Sequence, residues 1–318
     1  MKKSVSVLAA LLTTQFGISA AQSVTPIKTE APVIAVTETA RGVYIETSSG
    51  TWRLEAGNCD GGICATPDVI RALPARAPEG ALPDGKIAVA QTGNVRMAWY
   101  GAPTERYQHC ILGDCIEAGS LVVQLDDGTE LTLELPDEQV FEDLTPRLFD
   151  LDGDENSEII TIRASNTGGA AVVVYAVSDG ALTQIAASSE NGQRNRWLNI
   201  AFIDTGTIAF VRTPHIGGRL ALLQYRPNGE VLETNDIVSD VSNHLIGSRE
   251  LDLQEPFKAG SLTAIAIPNQ SRNALRLIRR PGEIVDVPVP GKIDKAIVTV
   301  GNLLVTATED GTLLAIEP

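Results

Sequence analysis

The chain has 318 residues, and its 40 acidic and 25 basic side chains give a formal net charge of −15 at pH 7. A surface this acidic repels phosphate backbones and anionic lipid headgroups, whereas it favours solubility and the binding of divalent cations. The composition therefore excludes nucleic acid as an expected partner and directs attention to ligands in aqueous solution.

The first 21 residues have the pattern of a secretory signal peptide. Two lysines are followed by an apolar run at 5–18 and by the small residues Ser19, Ala20 and Ala21. Retention as a membrane anchor is the alternative, but about 14 apolar residues are too few for a bilayer that needs roughly 20. We expect cleavage near Ala21 and a periplasmic or secreted protein without stable membrane insertion.

The four cysteines form two short pairs with equal spacing, Cys59 with Cys64 and Cys110 with Cys115. In an oxidising compartment such cysteines favour disulfides over free thiols. Four cysteines allow three pairings, and the equal spacing favours the two local bridges. A zinc site built from all four thiolates is the alternative.

From about residue 33 onward the sequence consists of short β-type runs separated by turn signals. Residues 43–54 and 121–135 each have the pattern of a β-hairpin, the second with a D-G turn. The second half of the chain repeats its pattern every 40 to 55 residues, in copies at 148–175, 202–225, 251–278 and 297–316.

Repeats of this length are typical of propeller blades, because one small sheet cannot bury both of its faces alone. We predict an all-β fold, a single β-propeller of six or seven four-stranded blades at 36–318, with the hairpin at 43–54 as a candidate for closing the ring. Residues 22–35 are expected to form an N-terminal extension. Residues 58–85 are expected to form a long loop insertion with one helical turn around 67–73. A β-sandwich or two smaller β domains are the alternatives.

One loop carries a specific ligand pattern. Acidic side chains stand at the first, third, fifth and ninth positions of the segment 150–158. Ca²⁺ takes six to eight hard oxygen ligands, and four carboxylates this close repel one another without a cation. We predict a Ca²⁺ site formed by the side chains of Asp150, Asp152, Asp154 and Glu158 and the backbone carbonyl of Asn156. A solvated acidic turn is the alternative.

The segment 148–162 resembles the FG-GAP or VCBS repeat of integrin-type β-propellers, in which D-x-D-x-D-G-x-x-[DE] lies between the first two strands of a blade. Glu155 stands where the repeat prefers Gly, which is expected to strain the turn. The corresponding loops at 204–207 and 252–255 lack the pattern, so we expect one strong Ca²⁺ site. The resemblance implies a propeller architecture and Ca²⁺ binding, and it implies no activity.

The connections expected on the opposite face contain all three histidines of the chain. If strand A of a blade enters the Ca²⁺ loop and strand B leaves it, the B-to-C and D-to-A connections lie on the other side of the disc. Three interpretations are open: independent loop histidines, a binding funnel for a polar or anionic ligand, and a three-histidine site for a metal such as Zn²⁺. The candidate ligand-binding residues are Arg106, His109, Trp197, Asn199, Arg212, His215 and His244.

The sequence contains neither G-x-S-x-G nor H-E-x-x-H, and enzymatic activity is left open. We predict an exported, monomeric, Ca²⁺-binding module or scaffold whose partner is an unidentified protein or a small polar or anionic ligand. The alternative is a metal-dependent hydrolase that uses the histidine cluster. An activity assay distinguishes the binding module from the hydrolase, since only the hydrolase turns over a substrate.

Overall fold

The computed structural model describes residues 22–68, 78–90, 92–226, 228–260, 262–280 and 282–318. Within these ranges the chain forms 25 β-strands and one 3-10 turn, Asp60–Gly62. Among them there is no helix long and apolar enough to cross a membrane. The predicted signal peptide 1–21 and most of the predicted helical turn at 67–73 lie outside the described residues.

The first complete sheet is a four-stranded antiparallel meander. It consists of β2 Val33–Thr39, β3 Gly42–Thr47, β4 Gly50–Ala56 and β5 Ile63–Asp68. One strand, β1 Val24–Ile27, precedes this sheet in the chain and pairs elsewhere.

A nine-stranded sheet follows, and it contains two meanders. The first consists of β6 Ala88–Val89, β7 Val95–Thr104, β8 Glu117–Leu125 and β9 Glu130–Glu134. The second consists of β11 Arg147–Phe149, β12 Glu158–Ser165, β13 Gly169–Ser178 and β14 Ala181–Ala187. Between them β10 Gln139–Phe141 pairs with both β8 and β12, which joins the two meanders.

Two further four-stranded meanders come next. They consist of β15 Leu198–Asp204, β16 Thr207–Arg212, β17 Arg219–Tyr225 and β18 Val231–Ser239, and of β19 Glu255–Ala259, β20 Leu262–Pro268, β21 Ala274–Arg280 and β22 Glu283–Pro288. The last sheet combines β1 with the C-terminal strands β23 Val298–Val300, β24 Leu303–Ala307 and β25 Leu313–Ile316.

The first strands of the successive meanders surround one cavity of about 770 Å³, which we call the channel cavity. Its lining takes residues from β2, β15, β19 and β23, together with Arg147 of β11 and Lys86 just before β6. Four-stranded sheets whose first strands encircle a common channel form a β-propeller. The predicted all-β propeller is confirmed, while the blade number of six or seven stays a prediction because β10 joins two meanders into one sheet.

Burial explains why the central strands are apolar throughout and the outer strands are not. In β12, the residues Ile159, Ile160 and Ile162 are completely buried because neighbouring sheets cover both faces. In the outer strand β9, exposed and half-buried residues alternate. Most of the continuous apolar runs recognised in the sequence are therefore inner and middle strands of the blades. The third repeat is an exception: the segment 251–254 is not a strand, and β19 begins at Glu255, so the predicted loop 252–255 comes before the first strand of that blade and not after it.

The ring closes differently from the sequence prediction. The hairpin 43–54 lies inside the first sheet as β3 and β4, with β2 and β5 on its two sides, so it has no free edge for the last sheet. β1 pairs with β25 instead, from Val24 opposite Ile316 to Ile27 opposite Leu313. The expectation that 22–35 is an extension is wrong, because this segment contributes strands to two sheets.

The expected loop insertion at 58–85 also needs correction, since β5 occupies 63–68. The two strands that sequence reasoning missed, β1 and β5, contain Pro26 and Pro67 respectively. Proline cannot donate to a strand ladder and is confined to edge strands. Both strands lie at the outer edge of their sheets, where proline is tolerated.

Both predicted local disulfides are confirmed, Cys59–Cys64 and Cys110–Cys115. No cysteine in the described part of the chain is free. The alternative of a zinc site built from four thiolates is therefore wrong. Each bridge closes one loop, so the packing between sheets has to hold the ring together.

An apolar cluster packs the first sheet against the last. It contains Ile27 of β1, Val36 of β2, Leu54 of β4, Val305 of β24 and Leu313 of β25. This cluster joins the two ends of the chain, because residues near its beginning and its end are buried against one another.

We expect Ile27→Ala to lower the free energy of unfolding by about 2 to 5 kcal/mol, as truncation of a buried Ile leaves a cavity. The matched control is Lys28→Ala at the neighbouring exposed position, for which we expect a change within about 0.5 kcal/mol. Urea unfolding of the mature protein measures both. Equal stability of the two variants would contradict closure through β1.

Candidate functional site

The acidic loop lies where the sequence predicted, between β11 and β12. One carboxylate oxygen from each of Asp150, Asp152 and Glu158 lies within 4.8 Å of the other two. Among the described residues, this is the one group of three or more His, Cys, Asp or Glu side chains with such metal-binding proximity. The carboxylate of Asp154 is outside the group and accepts the backbone N–H of Asn156 at 2.8 Å.

Backbone hydrogen bonds to Asp150 determine the wrapped shape of this loop. The two oxygens of its carboxylate accept the N–H groups of Gly153, Asp154 and Glu155 at 2.8, 3.1 and 3.0 Å. Glu155 has a φ of 72°, in the left-handed region that favours glycine. The departure from the FG-GAP pattern therefore falls at a position whose backbone conformation a glycine would adopt without strain.

Glu158 is the buried member of the acidic group, with only 4% of its surface exposed. One of its oxygens accepts the N–H of Leu151 at 2.7 Å. Burial, with a contribution from the charges of Asp152, Asp154 and Asp150, raises the pKa of the Glu158 carboxyl to about 7. A bound cation would offset both effects, since it stabilises the ionised carboxylate.

Two neighbouring turns brace the acidic loop. On one side is Gly93, whose added Cβ would lie 2.6 Å from the carbonyl oxygen of Glu155 and 2.9 Å from Cα of Asn156. On the other side, the N–H of Gly206 donates to the carbonyl of Leu151 at 2.7 Å. The loop conformation is thus held by the turns that follow β6 and β15, on the same face of the disc.

The three histidines lie in the predicted connections, but they do not share a metal-binding geometry. Nε2 of His215 and Nδ1 of His244 are 2.9 Å apart, and Nε2 of His244 lies 2.9 Å from the carbonyl oxygen of Ser248. A carbonyl accepts only, so Nε2 of His244 carries the proton and its Nδ1 accepts from Nε2–H of His215. Nε2 of His215 and both ring nitrogens of His244 are therefore engaged in hydrogen bonds, either between the two imidazoles or to the backbone.

His109 has a different partner. Its Nδ1 contacts the carboxylate of Glu142, a completely buried side chain. No group of described residues that includes the three histidines has the proximity a shared metal needs. The alternative of a three-histidine metal site, and with it the metal-dependent hydrolase built on it, is not supported by this geometry.

Trp197 and Asn199 are parts of the buried interior. The Trp197 ring stacks on His215 with centroids 5.9 Å apart, and its Nε1–H donates to the carbonyl of Glu142 at 2.9 Å. The amide nitrogen of Asn199 donates to the carbonyls of Asn243 and Leu251 at 3.2 and 2.9 Å. Both side chains connect adjacent sheets and offer little surface to a ligand.

The two candidate arginines are occupied by protein partners. Nε of Arg106 donates to the carbonyl of Gln139 at 2.9 Å. The guanidinium of Arg212, only 6% exposed, pairs with Glu233 and donates to Asn235 and Ser189. These contacts engage the guanidinium of Arg212 completely and that of Arg106 through Nε and one Nη, so the geometry does not support the predicted anion funnel.

The disulfide-bonded connection 105–116, between β7 and β8, reaches across to later parts of the ring. The carbonyl of Ile111 accepts the N–H of Gly247 at 2.8 Å, and Asp114 pairs with Arg249 at 2.8 Å. Within this connection, Ile111 and Leu112 are buried. The connection therefore covers part of the channel end opposite the acidic loop, because Arg249 also lines the channel cavity.

Sequence reasoning missed a group of buried carboxyls near this end. Glu142 and Asp143 are completely buried, and Glu117 is 2% exposed. Burial first, then the charge of Glu142, raises the pKa of Glu117 to about 9. The available signal was the position of Glu142 and Asp143 inside an apolar run from Val140 to Leu144.

The paired imidazoles predict a specific pH dependence of stability. Burial is the main cause that lowers the pKa of His215 to about 3 and of His244 to about 4, whereas an unfolded histidine has a pKa near 6.5. Between about pH 4 and 6.5 the unfolded chain binds protons that the folded chain does not, so stability falls as the pH falls through this window.

We expect His215→Gln and His244→Gln each to reduce the slope of unfolding free energy against pH by up to about 1.4 kcal/mol per pH unit within that window. Urea unfolding at a series of pH values measures the slope. The control is the range above about pH 7.5, where no imidazole titrates. There the slope of unfolding free energy against pH should be the same for both variants and the unsubstituted protein. An unchanged slope below pH 6.5 would show that these imidazoles titrate normally in the folded protein.

No protein-family model and no curated protein matches this chain. Among solved structures, the chain is similar to virginiamycin B lyase from Staphylococcus aureus, with 13% identity, a TM-score of 0.41, and coverage of 93% of this chain and 99% of that one. A streptogramin B lyase matches with 10% identity, a TM-score of 0.49 and coverage of 93% and 97%.

BamB from Moraxella catarrhalis matches with 11% identity, a TM-score of 0.26 and coverage of 93% and 98%. At these identities and TM-scores, the similarities carry no inference about activity, ligand or partner. The propeller assignment rests on the chain's own sheets and their common channel cavity.

Proposed function

We propose that this protein is an exported β-propeller that binds Ca²⁺ in the loop 150–158 and acts as a binding or scaffold module. The observation that carries the proposal is the convergence of oxygens from Asp150, Asp152 and Glu158 within 4.8 Å of one another. The two disulfides are compatible with an oxidising compartment.

The donor set fits Ca²⁺ better than a transition metal. Every donor in the group is a carboxylate oxygen, which suits hard cations, and no imidazole or thiolate joins it. Asp154 and the carbonyl of Asn156 are further oxygen donors in the same loop. The resemblance to FG-GAP and VCBS repeats supports this choice through the loop alone.

A binding role fits the site better than catalysis. The nitrogens of His215 and His244 are engaged in mutual and backbone hydrogen bonds, and Arg212 is paired. By contrast, the channel cavity of about 770 Å³ has a volume within the range of roughly 300 to 1,000 Å³ for ligand sites. A stable ring with an accessible channel is suited to holding a partner without changing it.

We expect Ca²⁺ to raise the melting temperature of the mature protein relative to the same protein in chelator. Binding to the folded state alone at 100 times the dissociation constant adds about 2.7 kcal/mol. Asp152→Asn should remove most of this gain, whereas Asp126→Asn, an exposed acid in the turn after β8, should keep it. Identical melting with Ca²⁺ and with chelator would refute the site.

The bracing by Gly93 gives an independent test. A Cβ at Gly93 would collide with the backbone of Glu155 and Asn156, whereas at Gly128 nothing lies within 4 Å. The two glycines have nearly equal φ values of 89° and 87°, so substitution by alanine introduces the same backbone strain at both positions. We expect Gly93→Ala to weaken Ca²⁺ binding about tenfold or more and Gly128→Ala to leave the affinity unchanged in calorimetric titration. Equal affinities would show that the turn does not shape the loop.

A further inference from the structure

A second cavity, which we call the aromatic pocket, opens on the same face as the acidic loop. Its volume is about 550 Å³. The apolar part of its lining comes from first strands, from the start of β24 and from the C-terminus: Phe149, Phe202, Ile203, Pro256, Phe257, Leu303, Leu304 and Pro318. Phe149 immediately precedes Asp150, so the pocket borders the proposed Ca²⁺ site directly.

The aromatic pocket continues into the channel cavity. Phe202, Ile203, Glu255 and Pro256 line both. The two cavities therefore form one continuous space, which is apolar in the aromatic pocket and polar in the channel cavity. Small-molecule sites in proteins have this composition, a predominantly apolar and aromatic wall with a few polar groups that fix the ligand.

The polar interior contains four acids that form no ion pair within the described part of the chain. Glu38, Glu250, Asp252 and Glu255 line the channel cavity, and none of them has an ion pair among the described residues. Of the arginines on the wall, Arg147 pairs with the buried Asp143, and Arg249 pairs with Asp84 and Asp114. Lys86 also lines the cavity and interacts electrostatically with Glu250, and Asp252 interacts with Arg147. Four acids therefore face three basic side chains on this wall, and two of those three are paired with acids outside it.

Glu255 lies where the two cavities meet, and its surroundings disfavour its charge. Burial is the main cause that raises the pKa of Glu255 to about 7, side-chain and backbone hydrogen bonds from Thr299 partly offset this rise, and the charges of Glu38 and Asp252 add to it. At the pocket entrance, Lys258 donates to the hydroxyl of Thr263 at 2.9 Å. A cationic group placed beside Glu255 would lower the repulsion among these three acids.

We infer that the aromatic pocket and the adjoining channel bind a small organic molecule that carries an apolar body and a primary ammonium group. The body occupies the pocket between Phe149 and Phe202, and the ammonium lies at Glu255. The aromatic faces add an attraction for the cation. This inference rests on the proposed binding function and names the chemical class of its ligand.

Three probes with one carbon skeleton test the inference: phenylbutylamine, phenylbutanol and phenylbutyrate. Calorimetric titration of the mature protein at about pH 8, where Glu255 is ionised and the amine is protonated, should give the tightest binding for the amine. We expect the alcohol to bind about tenfold more weakly, because it lacks the charge-assisted hydrogen bond. The carboxylate should bind most weakly.

Two substitutions test separately the residues proposed to bind the ammonium group and the apolar body of the probe. Glu255→Gln should reduce the amine to the affinity of the alcohol and leave the alcohol unchanged, whereas Phe202→Ala should weaken both. Glu130→Gln, at an exposed position in β9 away from both cavities, is the matched control and should behave as the unsubstituted protein. The thermal melting curve of each variant confirms that it folds.

Several outcomes would overturn the inference: equal affinity of amine and alcohol, preference for the carboxylate, or no binding of any probe. The melting shift with Ca²⁺, recorded on the same preparations, separates this failure from failure of the proposed function. A Ca²⁺ shift without amine binding refutes the ligand class alone. Amine binding without a Ca²⁺ shift refutes the metal site and leaves the pocket intact.

Discussion

The pairing of β1 with β25 is the contact on which the rest of the structure depends. A four-stranded sheet with two apolar faces is stable only between neighbours, and a ring supplies neighbours to every sheet only when its ends meet. Here Ile27 inserts into the cluster that also holds Leu313. The channel cavity, the turns around the acidic loop and the buried carboxyls all require this closed ring.

The two ends of the channel differ in their chemistry. At one end the connection 105–116, closed by Cys110–Cys115, contacts Gly247 and Arg249 and lies near the buried His244 and the buried carboxyls of Glu117 and Glu142. At the other end the acidic loop, held by Gly93 and Gly206, borders an open apolar pocket. We therefore propose ligand binding at the end that carries the acidic loop, because this end opens into the aromatic pocket, whereas Arg212 and His244 at the covered end are engaged by protein partners.

The sequence was informative where a local pattern determines the structure. The position of the acidic loop between two strands, both disulfides and the propeller architecture followed from spacing and periodicity. It was misleading at Pro26 and Pro67, because edge strands tolerate proline and resemble loops. The sequence does not show which side chains and backbone groups pair with one another. Arg106 and Arg212 were candidates for ligand binding, and only the fold shows that they interact with Gln139 and Glu233. Glu255 becomes prominent only when Glu38 and Asp252 are brought beside it.

Amide hydrogen exchange of the protein, compared with and without Ca²⁺, is the most direct test of the proposed Ca²⁺ site. We predict that Ca²⁺ slows exchange in the loop 150–158 and in the turns at Gly93 and Gly206 that brace it, because opening of this unit then requires loss of the ion. Exchange in the connection 105–116 should stay the same, as its contacts do not involve the loop. Equal exchange in 150–158 under both conditions would contradict a Ca²⁺ site on this face.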